Sequence, residues 1–190
     1  SSFLPLPLSE QNWEKYLVVF ATKKGMVRKN KLIDVAKSGS RELRDSGKLS
    51  IKLVSNDELV SVKLATQFDD VILSSSSGKC LRFPLEKLRL FSGLNSTGVK
   101  GIKLVKNNFV ISQAILKHSL IDMNIRQEYL RSASENRKNI GKLKNSFEEL
   151  SKNEEFLLAI TTKGSGKRSS AYEYRISNRG GKGIIGIVTT

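Results

Sequence analysis

Phe20-Ala21-Thr22-Lys23-Lys24-Gly25-Met26-Val27-Arg28-Lys29 decides the fold, because the chain writes this phrase three times. A short apolar run, Leu17-Val18-Val19-Phe20, leads to a polar turn that ends on Gly25. The second copy runs from Val71-Ile72-Leu73 through Ser75-Ser76-Ser77-Gly78, and the third from Phe156-Leu157-Leu158-Ala159-Ile160 through Thr161-Thr162-Lys163-Gly164. Four residues beyond each glycine stands a cation: Lys29, Arg82 and Arg168. A second glycine follows about twenty residues on (Gly47, Gly98, Gly183), with Ile51, Ile102 or Ile187 four places later. Self-similarity at this period marks a repeat architecture.

Within each copy, apolar runs of four to six residues alternate with Gly, Ser and Asn clusters, the pattern of short antiparallel strands. After the second glycine comes an alternating segment, Leu49-Ser50-Ile51-Lys52-Leu53 or Val99-Lys100-Gly101-Ile102-Lys103-Leu104. A polar turn then leads to Leu59-Val60-Ser61-Val62 or Phe109-Val110-Ile111. Four strands per unit predict an all-β, β-propeller-like fold of four-stranded blades, about three of them. The repeats span about 16–66, 69–116 and 155–190 of one partial domain, 1–190. Phe3 to Leu6 read as the orphaned end of a preceding unit. The first residue is Ser1, with no basic leader or signal-type run, so the chain is expected to be cut from a longer polypeptide.

Residues 117–153 break the period. Ile140, Leu143, Phe147 and Leu150 fall at helical steps, and Ile125 to Leu130 also favour helix. Gly141 and the Ser/Asn content from Ser132 to Asn139 argue against one long helix. A helical insertion between the second and third repeats is expected, either a surface excursion or a hairpin that docks a partner.

Thirty-three Lys and Arg against 18 Asp and Glu give a net charge of +15, a field that draws polyanions. No stretch reaches the roughly 18 apolar residues of a membrane span, and no membrane partner is expected. The lone Cys80 excludes a disulfide framework and suits a reducing compartment. Its only possible histidine partner, His118, lies in another segment, so Cys80 reads as packing. The sequence has no phosphate loop, no HExxH, no CxxC and no nucleophile elbow. Asp69 and Asp70 would point to opposite faces of a strand and read as turn caps. Nothing in the chain supports catalysis, a metal or a cofactor.

The cations recur in register with the repeat, which points to nucleic acid. The candidate contacts are Lys23, Lys24, Arg28, Lys29 and Lys31 in the first repeat, and Lys79 and Arg82 in the second. Lys163, Lys167 and Arg168 belong to the third, followed by Arg179 and Lys182 in a glycine-rich loop (Gly180, Gly181, Gly183) suited to close approach of phosphate. Few aromatics accompany them, so stacking on unpaired bases explains little. Duplex DNA held by its backbone fits better. Patches repeated from blade to blade would trace an arc. Bending 20–30 bp by 40–90° along it costs about 1–6 kcal/mol, which several phosphate contacts can offset.

Several stretches together resemble the C-terminal DNA-wrapping domain of DNA gyrase A, a β-pinwheel. They are Phe20 to Lys29, Gly47-Lys48-Leu49-Ser50-Ile51-Lys52-Leu53, Asn56 to Val60, Gly78-Lys79-Cys80-Leu81-Arg82-Phe83, Ser96 to Ile102, Gly164 to Arg168 and Tyr172 to Arg175. The resemblance implies a non-catalytic part of an ATP-dependent bacterial type II topoisomerase, wrapping DNA to favour negative supercoiling. It implies double-stranded DNA, the rest of gyrase A, and gyrase B as partners in the bacterial cytoplasm, at the nucleoid. ATP and Mg would serve the parent enzyme, outside this fragment. Ser177-Asn178-Arg179-Gly180-Gly181-Lys182-Gly183 matches only the second half of the gyrase heptapeptide and sits in the last repeat rather than the first. The equivalent domain of topoisomerase IV shares the repeat without the heptapeptide and is the near alternative. A propeller-like protein-interaction module with a basic face is the alternative from another class.

Overall fold

The computed structural model describes residues 4–7, 10–37, 51–138 and 141–189. Its elements are β1 (Leu17–Thr22), β2 (Met26–Lys31), α1 (Leu32–Lys37), β3 (Leu59–Ala65), β4 (Asp69–Ser75), β5 (Lys79–Pro84), β6 (Val99–Lys100) and β7 (Val110–Lys117). There follow α2 (Met123–Arg137), α3 (Glu148–Lys152), β8 (Phe156–Ile160), β9 (Gly166–Ser170) and β10 (Ile184–Ile185). Gly47, Lys48 to Ser50, Phe3 and Ile140, all used above, lie outside the described residues.

Each phrase of the repeat folds into a hairpin. In the first, Phe20 stands opposite Arg28, and the Gly25 N–H closes the turn on the Thr22 carbonyl at 2.9 Å. Gly78 and Gly164 close theirs on Ser75 and Thr161 at 2.9 and 3.0 Å. The turn needs a left-handed residue, and φ is +81°, +73° and +84° at the three glycines. A lone hairpin is marginal in water, so each strand pair needs neighbours.

Two hairpins obtain them by the same scheme. One sheet has the order β3-β1-β2-β6 and the other β7-β4-β5-β10. β1 and β4, each flanked by a strand on both sides, are buried along most of their length, and Val18-Val19-Phe20-Ala21 and Val71-Ile72-Leu73 are their apolar centres. The fourth strand comes from the next repeat in each case: Val99 lies opposite Val27, and Ile184 opposite Cys80. The segment after the second glycine therefore does not complete its own blade. It crosses to the preceding one, which contiguous units of sequence did not predict.

Contacts divide the chain into two compact units, 1–116 with 176–190, and Lys117–Arg175. In the first, Val19, Ala21 and Val27 of one sheet pack against Val71, Leu73, Leu81 and Phe83 of the other, joined by Ile102, Leu85 and Val110. Full burial of such side chains stabilises by roughly 1.5–3 kcal/mol each. Behind the first sheet, Val18, Phe20 and Leu32 pack with Leu4, Trp13 and Tyr16.

The second unit corrects the reading of the insertion. α2 runs unbroken through Ser132 to Arg137, and Asp122 caps it by accepting the N–H groups of Asn124 and Ile125 at 2.8 and 3.4 Å. Its Tyr129 meets Phe147 and Tyr172 edge-on, with ring centres 5.6 Å apart in both cases. Leu143 and Leu150 pack around them. The insertion supplies the core of this unit instead of lying on it as a surface loop. The stripe through Phe147 is split between a loop, a short 3-10 turn and α3. The third repeat contributes a two-stranded hairpin, β8-β9, to this unit. Among the described residues no helix is long and apolar enough to cross a membrane.

Candidate nucleic-acid interface

The twelve cations singled out by sequence fall into two classes. Arg28, Lys29 and Arg82 are buried, contrary to the expectation that they face a ligand. Their neighbours account for this. The Arg28 guanidinium donates to the carbonyls of Leu94 and Ser96 at 2.7 and 2.9 Å and lies over the Phe20 ring. Lys29 Nζ donates to the Leu85 carbonyl at 2.7 Å, and Asn30 Nδ2 to those of Phe91 and Gly93 at 2.6 and 3.3 Å. These three consecutive residues of β2 serve the connection between β5 and β6. A connection without regular structure must still satisfy its carbonyls, and these side chains do so. Burial lowers the pKa of both Arg28 and Lys29, with Glu86 acting the other way on Lys29.

Arg82 holds a different partner. Its Nε lies 2.7 Å from Asp70 Oδ2, and both side chains are almost wholly enclosed. Asp70 thus departs from the turn-cap reading, which Asp69 fulfils by accepting from Thr66 N and Oγ1 at 2.6 and 2.9 Å. Cys80 is half-buried, 3.4 Å from Ser74 Oγ, and burial pushes its thiol pKa up.

The remaining nine reach solvent. Lys23 is half-buried and pairs with Glu58 at 3.1 Å, and Lys24 is exposed and donates to the Ser55 carbonyl. Lys31 is exposed at the end of β2, and Lys79 is half-buried on β5. Lys163, Lys167 and Arg168 are exposed on the third hairpin, Lys167 beside Glu173 at 3.3 Å and Arg168 stacked 3.6 Å from the Phe156 ring centre. Exposed ion pairs contribute about 0–1 kcal/mol and exchange readily for a phosphate.

Arg179 and Lys182 occupy the best-defined basic surface. Their loop is fastened to the segment that begins with β6: Gly180 N donates to the Gly101 carbonyl at 2.6 Å, and Lys103 N to that of Gly181 at 2.8 Å. The Arg179 guanidinium donates to the Lys100 carbonyl at 3.2 Å. Lys100 and Lys103 are exposed and join Arg179 and Lys182 on this surface. Neither was singled out from sequence. Their place just after the second glycine, beside Gly101, was the available signal, hidden while that segment was assigned to its own repeat. Among the described residues no cluster of His, Cys, Asp and Glu could hold a metal. What the surface offers is positive charge on ordered backbone.

A family described as the DNA gyrase C-terminal domain, a beta-propeller, matches residues 69–113 and 155–190. The DNA gyrase A protein of Rickettsia bellii is 37% identical over 198 residues, covering 97% of this chain and 21% of that protein. Its counterpart from Granulibacter bethesdensis is 37% identical over 213 residues, covering 98% and 22%. The chain therefore spans about a fifth of the length of the curated relatives it matches. Among solved structures, the C-terminal domain of DNA topoisomerase IV aligns with a TM-score of 0.64 at 20% identity, covering 90% of this chain and 41% of that one. A DNA gyrase A C-terminal domain aligns at 0.63 and 18%, covering 93% and 45%. At these identities the structural likeness speaks for the fold.

Proposed function

Since the chain belongs to the family of DNA gyrase C-terminal domains, we propose that it binds duplex DNA through its backbone and bends it. In the parent enzyme this would present a wrapped segment to an ATP-dependent strand-passage machine that introduces negative supercoils. The rest of gyrase A, together with gyrase B, would then be its partners. The observation that carries the reading is the basic surface of Lys100, Lys103, Arg179 and Lys182, held on hydrogen-bonded backbone. A preordered array loses little freedom when it meets phosphates, and it needs no base-reading groups. The net charge of +15 supplies long-range attraction. Gyrase is preferred to topoisomerase IV because the 37% identical relatives are gyrase A proteins.

Binding to a duplex of about 40 bp across a salt titration tests this. Each phosphate contact contributes roughly 0.9 to the slope of log K against log salt. The quadruple alanine variant of Lys100, Lys103, Arg179 and Lys182 is expected to reduce the slope by up to about 3.6. An unchanged slope, or binding indifferent to salt, would remove this surface from the interface.

A further inference from the structure

Residues 176–187 form a strap that few bonds hold in place. Ser177 donates from its N and Oγ to the Arg82 carbonyl at 3.0 and 3.1 Å, and Ile184 and Ile185 pair with Cys80 and Lys79 as the two-residue β10. At the far end Gly186 and Ile187 donate to the Gly78 carbonyl at 2.9 and 3.2 Å. Between these points Gly180, Gly181 and Arg179 are tied to Gly101, Lys103 and Lys100. Apolar cover is thin, with Ile185 66% exposed and the adjoining Val188 69%. Docking makes no steric demand for glycine at position 181, where a Cβ would lie an ordinary 3.5 Å from Leu81. A segment with short pairing, exposed side chains and spare backbone freedom opens at low cost.

Charge opposes the docked strap. Arg179 and Lys182 belong to it, Lys100 and Lys103 to the segment it docks on, and all four are exposed. Among the described residues none of the four pairs with a carboxylate, whereas Lys23, Lys144 and Lys167 each do. The backbone bonds of Gly180 and Gly181 bring the two pairs of cations onto neighbouring residues. Docking therefore gathers like charges, which salt screens only beyond about 10 Å at 0.1 M.

We propose that this strap is a lock that duplex DNA closes, an inference that rests on the DNA binding proposed above. Phosphates lying over Lys100, Lys103, Arg179 and Lys182 replace the repulsion among them with shared attraction to one polyanion. An undocked strap carries Arg179 and Lys182 away and leaves two of the four contacts. DNA therefore binds the docked form more tightly, and by linkage it favours docking by the same factor. Two contacts at about 0.9 each make that factor fall with salt at a slope of about 1.8, roughly twelvefold between 50 and 200 mM. Without DNA the sign reverses, because salt screens the repulsion and favours docking. Closing the lock fixes β10 on β5 and completes the second sheet.

Amide exchange followed by NMR on the 190-residue chain reads the strap at Ser177 and at the buried Gly186. It is measured with and without the same duplex at saturation, while anisotropy of the labelled duplex reports binding itself. In the free protein, exchange at both amides is expected to slow as salt rises from about 50 to 200 mM. With DNA it should be slower throughout, by a margin that shrinks roughly twelvefold over that range. Lys182 is exposed, so Lys182→Glu leaves the core intact. It should slow exchange in the free protein at low salt, yet cut the protection that DNA adds by roughly tenfold. The lock would be overturned by DNA that binds but changes neither rate by more than about twofold. A free strap that exchanges faster with added salt, or faster in Lys182→Glu than in the parent, would overturn it equally. A duplex that fails to bind would remove the DNA reading itself, and the lock with it.

Discussion

Replacing Asp70 with asparagine would leave the Arg82 guanidinium enclosed in the protein without its carboxylate. The two groups meet at 2.7 Å with side-chain exposures of 3% and 0%, so water cannot take the place of the lost partner. Breaking such a pair from one side costs about 3–5 kcal/mol. At roughly 2–4 °C per kcal/mol for a chain of this size, the melting temperature should fall by about 6–20 °C. Urea titration followed by far-UV circular dichroism reads the change as a lower midpoint at constant slope. Exchanging both partners, Asp70→Leu with Arg82→Met, should restore stability or exceed it, because two desolvation penalties vanish together. The double variant also separates structure from ligand binding. Were Arg82 a phosphate contact, its loss in that variant would lower the salt slope of DNA binding by about 0.9, and the expected change is none. An Asp70→Asn variant within about 1 kcal/mol of the parent, or a double variant with a shallower slope, would refute the assignment of Arg82 to the core.

Other sites yield expectations of the same kind. Gly78→Ala should destabilise far more than Gly164→Ala by urea titration: both incur the cost of a positive φ, about 1 kcal/mol, but only at Gly78 does the methyl meet a carbonyl 2.0 Å away. Amide exchange at Ile184 and Ile185 should quicken in the Gly78 variant alone, as β10 lifts from β5. Burial, with the Glu154 carboxylate next, pushes the Tyr129 phenol up to about 12 from an ordinary 10, so the folded state favours the protonated phenol. That stabilisation is complete below pH 10 and is lost as pH rises toward 12. Alkaline unfolding of the Lys117–Arg175 unit in that window should become shallower in Tyr129→Phe. Arg28→Lys keeps the charge but loses the planar guanidinium whose Nη1 donates to both Leu94 and Ser96, and should cost about 1–2 kcal/mol while speeding proteolysis between Leu90 and Thr97.

Local chemistry made the hairpins legible. A β-rich run, a small polar turn and a glycine that must take positive φ select the same turn at Gly25, Gly78 and Gly164. Two things were not local. The partner of Val99 is Val27, some seventy residues away, and no periodicity distinguishes pairing within a repeat from pairing with its neighbour. Burial of Lys29 and Arg82 was equally hidden. A cation that recurs in register looks like a repeated ligand contact, yet two of the three serve internal partners: Lys29 Nζ holds the Leu85 carbonyl and Arg82 Nε the Asp70 carboxylate. The exposed Lys100 and Lys103 owe their place beside Arg179 to that same long-range pairing. The insertion misled for another reason: Ser132 and Ser134 read as helix weakeners, but packing of Tyr129 and Ala133 outweighs propensity.

Strand borrowing between repeats also sets a clock on synthesis. As the chain leaves the ribosome, β2 cannot be covered until Val99 and Lys100 have followed it, and β5 must wait for Ile184 and Ile185. About a hundred residues separate β5 from its last strand, roughly 5–20 s at ordinary elongation rates. For that interval the β5 edge presents unpaired N–H and C=O groups to every neighbouring nascent chain. Codon choice and chaperone occupancy across residues 100–184 would therefore bear on the yield of native protein.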